Sequence, residues 1–455
     1  MSCRFLFGQV SHNWRKKLAA LQPSNLRRVF PGWWLLFTGG ILAMWGYGYQ
    51  AYGFSAMLKP ISQELGLSRA AASIPASIGR LEGGFMSLLA GWITDKFGPR
   101  WLILAGVLLT SLSLALMNVV QSYWAFLLVW GIMLAIGLDL MLAIPMWTAI
   151  ANWFVRKRGL ANGIYWTFSG LSGVLVLPLV AWLITVVDWR TTCLVGGVVM
   201  FLVGMPLVWF FIKQHRPEYY GMLPDGASIM GNEGEGMEER GRQYAAEAGE
   251  VDFTLRQAMR TPAFWLLCLT GACHNLTAPT VSVHGIPFLT DLGIDPLQAS
   301  SILALMVMIS IPARLIGGFL ADRADKNRLR FLIVAAYLLE ASGFAFFLLH
   351  QTEAMIYVWF VVYGFGMGIG FAIIMPIRAR YFGRKSVGRI IGMGQAITMP
   401  ISVIGPIWTG WIYDSTGNYI FAFYVIAGLL TFAGMLALFV LPPKSPAKQA
   451  DSSGV

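Results

Sequence analysis

Twelve apolar runs, each long enough to cross a hydrocarbon layer as a helix, follow one another through this chain. A bilayer core of about 30 Å takes about 20 helical residues. Such runs stand, with soft edges, at 32–58, 70–93, 101–120, 122–153, 160–187 and 191–212. They resume at 263–289, 298–321, 331–350, 354–377, 390–413 and 419–441. A span in lipid must satisfy its own backbone polar groups, which a helix does within itself. The expectation is therefore an all-α, multi-pass membrane protein. Composition agrees: of 455 residues 57% are hydrophobic and 12% charged, against about 25% charged in a soluble domain.

Lysine and arginine set the orientation. With both termini on the cytoplasmic side, the cytoplasmic segments hold 28 of the 33 basic residues. The outer loops hold Lys59, Arg69 and Arg190, and two more, Arg80 and Arg314, fall inside spans. This asymmetry predicts cytoplasmic termini under the positive-inside rule and a cytoplasmic (inner) membrane location. It also explains the net charge of +11 without nucleic acid, since the basic residues sit in short loops rather than on one soluble face. The first 30 residues are basic but lack an apolar core with a cleavage site, so no signal peptide is expected. Cys193, Cys268 and Cys273 lie in apolar runs at no metal or redox spacing; no metal site and no cofactor are expected.

The chain repeats itself. GWITDKFGPR (91–100) follows the second run and GGFLADRADK (317–326) the eighth, with Asp95 and Asp322 227 residues apart. WFVRKRGLANG (153–163) and YFGRKSVGRIIG (381–392) recur at an offset of 228. One offset shared by two motifs predicts two pseudo-symmetric six-helix bundles, at 32–212 and 263–441. Around them stand an N-terminal segment (1–31), a central segment (213–262) and a tail (442–455). The Gly- and Glu-rich part of the central segment is expected to be a flexible linker, and FTLRQAMR (253–260) a short surface helix. Parallel six-helix halves with a site between them near the midplane describe one class of secondary transporters.

These motifs resemble the major facilitator superfamily across essentially the whole chain. GWITDKFGPR is similar to that family's loop signature, GxxxDxxGxR, with Gly91, Asp95, Gly98 and Arg100 in register; Gly318 and Asp322 mark the second copy, where Ala324-Asp325 replace the following glycine. In such a signature the glycines let helices approach and the aspartate faces a helix N-terminus or an arginine, latching one side. FSAMLKPISQELGLSRA (54–70), NWFVRKRGLANGI (152–164), RPEYYGMLPDG (216–226), FTLRQAMRTPAFW (253–265) and VHGIPFLTDLG (283–293) resemble the monocarboxylate transporters and the oxalate/formate antiporter branch. That likeness implies small organic anions, most often monocarboxylates, moved by alternating access with protons or by exchange. A lipid bilayer, the anion and protons are then the partners, and a monomer suffices.

Arg314 is the residue on which the cargo turns. It lies eight residues before Asp322, about 12 Å into the span, where an arginine costs about 2.5–3.5 kcal/mol on insertion scales. The resemblance places a carboxylate-binding arginine at this point of helix eight, and a guanidinium fork suits a carboxylate. The alternative is an internal ion pair. Animal-type monocarboxylate carriers have an aspartate one turn earlier, where this chain has Ser310, and a lysine in helix one, where this chain has none; the exchanger's lysine in helix eleven is also missing. With one central arginine in the second half, monocarboxylate is favoured over dicarboxylate.

Other polar residues in the spans complete the candidate set. Arg80 stands about 22 Å from the signature end of its helix; pairing with Glu82 or Asp139 and a substrate role weigh equally for it. Glu82, Asp139 and His274 are proton-coupling candidates, because buried carboxyls and histidines titrate in reach of physiological pH; Glu340 is expected only to support. His284, Tyr363, Tyr49, Tyr52 and Gln395 come from helices that line the cavity of this fold and are substrate-binding candidates. GMGIG (366–370) lies inside a span, which excludes a nucleotide loop, and no Walker motif is present, so the chain is not expected to be an enzyme or an ATP-driven pump. A carrier of amphipathic drugs stays open as the rival, because its broad aromatic cavity would not need Arg314.

Overall fold

The computed structural model describes residues 29–67, 69–228 and 236–444, without the side chains of a few helical residues, Arg80 among them. These residues run as twelve helical rods: α1 (31–64), α2 (Arg69–Phe97), α3 (Pro99–Val119), α4 (Tyr123–Trp153), α5 (Arg158–Val186) and α6 (Trp189–Phe211). After the central segment come α7 (Pro262–Asp291), α8 (Pro296–Arg323), α9 (Leu329–Leu349), α10 (Glu353–Phe382), α11 (Val387–Thr416) and α12 (Ile420–Ala437). No strand occurs among the described residues. Nine rods, α3–α6 and α8–α12, are long and apolar enough to cross a membrane. In α1 the α-helix is interrupted by a wide π-turn at Gly48–Gly53, while α2 and α7 carry more polar residues.

Local chemistry explains the irregularities. α4 breaks at Ala143, where Pro145 follows and cannot supply its N–H to the helix ladder. Further wide turns occupy Leu127–Leu134, Ser172–Val176 and Met200–Gly204, all in the first half. α10 and α11 run beyond the apolar runs, to Phe382 and from Val387, because polar residues at these ends are enclosed by protein rather than by water.

The two halves meet along glycine-bearing faces, with α5 on α8 and α2 on α11. Gly159 and Gly318 stand so close that a Cβ on either would strike the other's backbone, and Gly91 faces the Gly388 carbonyl the same way. Such contact brings backbones together where no side chain intervenes.

The central segment is folded where it is described, contrary to the expectation of a flexible linker. It forms short 3-10 turns at Pro217–Tyr220 and Pro224–Gly226, a helix at Met237–Glu247 and a second at Leu255–Met259. The last carries a capping box between Thr254 and Gln257, as expected of a surface helix. Two of the segment's acidic side chains, Glu218 and Glu250, are enclosed partners of arginines, whereas Glu238, Glu239 and Glu247 stay exposed. Residues 229–235, the middle of the Gly-rich stretch, lie outside the described residues. The end of the molecule that this segment covers is called the linker side below.

Candidate functional site

On the linker side both repeated aspartates reach across to the other half. Asp95, near the end of α2, accepts from the backbone N–H of Gly388 and Arg389 at 3.0 Å each, and from Arg389 Nε at 3.2 Å. Asp322, near the end of α8, accepts from the N–H of Gly159 and Leu160 at 2.6 and 2.8 Å. Each carboxylate therefore caps a helix start, α11 or α5, where unpaired N–H groups and the helix dipole favour negative charge. Gly98 is required for a separate reason: it starts α3 with φ +81°, which other residues adopt poorly. Arg100 does not join this latch. It donates to the Trp209 carbonyl at 2.8 Å and lies over the Trp209 ring, tying α3 to α6 within one half.

Beneath the latch lies a second layer of charge. Asp225 accepts from the backbone of Val155, Arg156 and Lys157 and from the Tyr244 hydroxyl. Glu250 pairs with Arg158 at 2.9 Å and Arg384 at 3.3 Å, joining loops of both halves. Arg384 also meets Glu218 at 2.8 Å. Together these contacts shut the linker side.

At mid-depth the geometry is different. Arg314 is 5% exposed. Its Nη1 donates to the Trp166 carbonyl on α5, its guanidinium lies 5.6 Å over the Phe371 ring of α10, and its Nε has no hydrogen-bond partner among the described residues. No carboxylate pairs with it among the described residues. Gly170 and Gly173, on one face of α5, leave room for the guanidinium and for the Tyr52 ring respectively. Trp166 in turn packs on Phe371 at 5.1 Å, Trp147 at 6.2 Å and Tyr47 at 6.5 Å. The result is a cation on an aromatic floor at the seam of the two halves.

The sequence of the whole chain gives this geometry a family. The sequence model of the Major Facilitator Superfamily matches residues 36–399 and 286–454. The chain belongs to that superfamily. It is a transporter rather than an enzyme. Among its relatives, the "Probable sulfoacetate transporter SauU" of Cupriavidus necator is 22% identical over 84% of this chain and 87% of its own. "Monocarboxylate transporter 13" of Rattus norvegicus is 25% identical over 81% and 79%, and the "Oxalate:formate antiporter" of Oxalobacter formigenes 23% identical over 90% and 91%. The solved structure of the proton:xylose symporter XylE is 15% identical with a TM-score of 0.69, covering 91% of this chain and 96% of that one; it shares the fold.

Within this transporter of the superfamily, the candidate residues fall into three groups. Arg314 and Tyr52 come together around α5. Gln395 and Asp139 line a cavity of about 20 Å³ between α2, α4 and α11, with Ser87 and Trp147, enough for about one water. Glu82, one residue from the Gly83 on which the Asp139 carboxylate packs, has both carboxylate oxygens buried without a partner among the described residues. The Arg80 side chain lies outside the described residues.

The remaining candidates are committed elsewhere. Tyr49 is fully buried and donates to the Thr192 carbonyl at 3.1 Å; it ties α1 to α6 and does not line the seam. Tyr363 is likewise 0% exposed, inside the aromatic cluster of Phe344 and Trp359. His284 is held by the Pro406 carbonyl at 2.8 Å and the Tyr419 hydroxyl at 3.4 Å. His274 meets Glu340 at 3.2 Å, on the far side of the Phe371 ring from Arg314.

Three residues escaped the sequence reading. Trp166 and Phe371 looked like ordinary span aromatics; the small residues Gly170 and Gly173 after Trp166 were the only signal. Arg378, counted with the cytoplasmic loop, is inside α10, 4% exposed, between Gly271 and Gly394 with Nη1 unpartnered. The premise of a single central arginine in the second half is thereby corrected.

Proposed function

We propose that this transporter carries small organic anions by alternating access, with Arg314 holding the carboxylate. One observation carries the reading: a permanent cation is buried at the seam with a free donor and no carboxylate partner among the described residues. A charge so placed is costly unless a partner visits it, and a guanidinium fork matches a carboxylate. The names of relatives (monocarboxylate, sulfoacetate, oxalate and formate) support the same chemical class. Monocarboxylates are the first reading; the second buried guanidinium, Arg378, brings dianions into the same test. Proton symport is the leading mode of coupling and anion exchange the alternative. By the distribution of lysine and arginine the linker side faces the cytoplasm, in the inner membrane, so this conformation is closed to the cytoplasm.

The test is uptake of radiolabelled lactate, pyruvate, oxalate and sulfoacetate into proteoliposomes. The parent takes up at least one of them, and Arg314→Ala slows that uptake about 100-fold, the loss of about 3 kcal/mol expected when a charge-assisted pair goes. Undiminished uptake by Arg314→Ala would sink the assignment and leave the broad drug carrier as the better reading.

A further inference from the structure

His274 of α7 and Glu340 of α9 form a buried pair in the second half, Nδ1 to Oε2 at 3.2 Å, with His274 4% and Glu340 0% exposed. Each keeps one polar atom without a partner among the described residues: His274 Nε2 and Glu340 Oε1. Buried polar atoms are almost always satisfied, so two unsatisfied atoms on one buried pair call for an explanation. Both converge on Gly370 of α10. A Cβ at Gly370 would stand 3.6 Å from Glu340 Oε1 and 3.9 Å from His274 Nε2, in ordinary contact with both.

The pair is also adjacent to the anion site. Phe371, the next residue, packs edge-on against the His274 ring at 5.6 Å and lies under the Arg314 guanidinium at 5.6 Å. Phe371 and Glu340 each stand about three helical turns, roughly 16 Å, from the linker-side ends of their rods. One aromatic ring therefore separates the free cation from the histidine–carboxylate pair at a single depth.

We infer that His274 and Glu340 together bind the co-transported proton, with Phe371 as the partition that couples them to the anion on Arg314. The inference rests on the proton-coupled reading of the carrier. A hydronium ion delivers one proton to the imidazole–carboxylate pair and leaves as water; the pair returns the proton to water on the opposite side. Loading Arg314 with an anion and the pair with a proton adds no net charge to the low-dielectric interior, whereas loading either alone adds one. The groups around the pair are Tyr337 on α9, whose ring stacks on the imidazole at 5.3 Å, Tyr363 on α10 near Glu340, and, next to Tyr337, Arg378 on α10 and Cys273 on α7. Of these only Arg378 carries a fixed charge, and it makes no ion pair with Glu340 within 4 Å.

Two measurements on His274→Gln and Glu340→Gln test this in proteoliposomes, using pyruvate or whichever of the four anions above the parent moves. Uptake driven by an imposed proton gradient is expected to fall at least tenfold in both variants, while counterflow of the same anion without a gradient stays within about twofold of the parent. Retained gradient-driven uptake would overturn the inference, and so would loss of counterflow alongside it, which would assign the pair to the scaffold. The second measurement needs no cargo. Infrared difference spectra of the reconstituted protein, titrated from neutral to acid, should contain a carboxyl or imidazolium band that both variants lack. Its absence from the parent would overturn the inference even if no anion is moved, whereas a parent that shows the band and moves none of the anions sinks the proposed function alone.

Discussion

Arg384 and Arg314 are buried to the same extent, each 5% exposed, yet they live in different chemistry. Arg384, on the linker side, meets Glu218 and Glu250, and its guanidinium also donates to the carbonyls of Asn152 and Gly241. Arg314, at mid-depth, meets one carbonyl and one ring. Burial alone thus distinguishes nothing. The difference lies in whether the protein supplies the countercharge itself. Where it does, the arginine is a tie between segments; where it does not, the arginine is available to something that comes and goes.

Four experiments bear on that contrast, and the first should give the greatest change. Arg384→Ala leaves Glu218 and Glu250 buried with one fewer cation, a loss of about 3–5 kcal/mol for a broken buried pair; a marked drop in melting temperature and faster proteolysis of the central segment should follow. An unchanged melting temperature would refute the tie. Arg314→Lys, at the other site, keeps the charge but loses the planar fork. Anion uptake should drop by about 10- to 100-fold while the melting temperature holds, since no buried ion pair is broken; the reverse pattern would make Arg314 structural.

Smaller effects separate the two latch copies. Asp95 accepts three hydrogen bonds and Asp322 two. Replacing either with Asn leaves one acceptor oxygen and no charge, a cost of about 1–3 kcal/mol, and Asp95→Asn should cost more. Maleimide labelling of a cysteine introduced by Ser87→Cys, a position buried between α2 and α11, reads the opening; equal labelling in the two variants would count against a contribution from Arg389. The smallest effect concerns pH. Burial holds the Lys326 amine down to about 8, below its ordinary 10.5. The unfolded state therefore binds more protons between these values, so stability rises as pH climbs from about 8 toward 10.5. Proteolysis of the central segment should slow over that window, and Lys326→Met should flatten the dependence.

Much of this was legible in the residues. Length of the apolar runs gave the rods, because about 20 apolar residues cross lipid as a helix that satisfies its own backbone, and the repeated GxxxD segments marked the aspartates that meet the other half. The placement of Arg314 also followed from counting along a helix. What sequence could not supply was direction around the rods. Tyr49 and Tyr52, three apart, should share a face of an α-helix; the π-turn between Gly48 and Gly53 widens that arc, and one ring enters the first-half core while the other turns to Gly173. Arg378 was misread because hydropathy ends at the last apolar residue, whereas α10 continues to Phe382 inside protein. The central segment was misread because its charges resemble those of a solvated chain. Their partners, Arg158 and Arg384, sit 92 residues before Glu250 and 166 residues after Glu218, beyond any local pattern.

Each half lends its aspartate to a helix start of the other, so parting the linker side strands two carboxylates and two sets of backbone N–H groups at once. In the proposed alternating-access cycle, opening is expected to be concerted, and the slow step of turnover to be this separation rather than the capture of cargo.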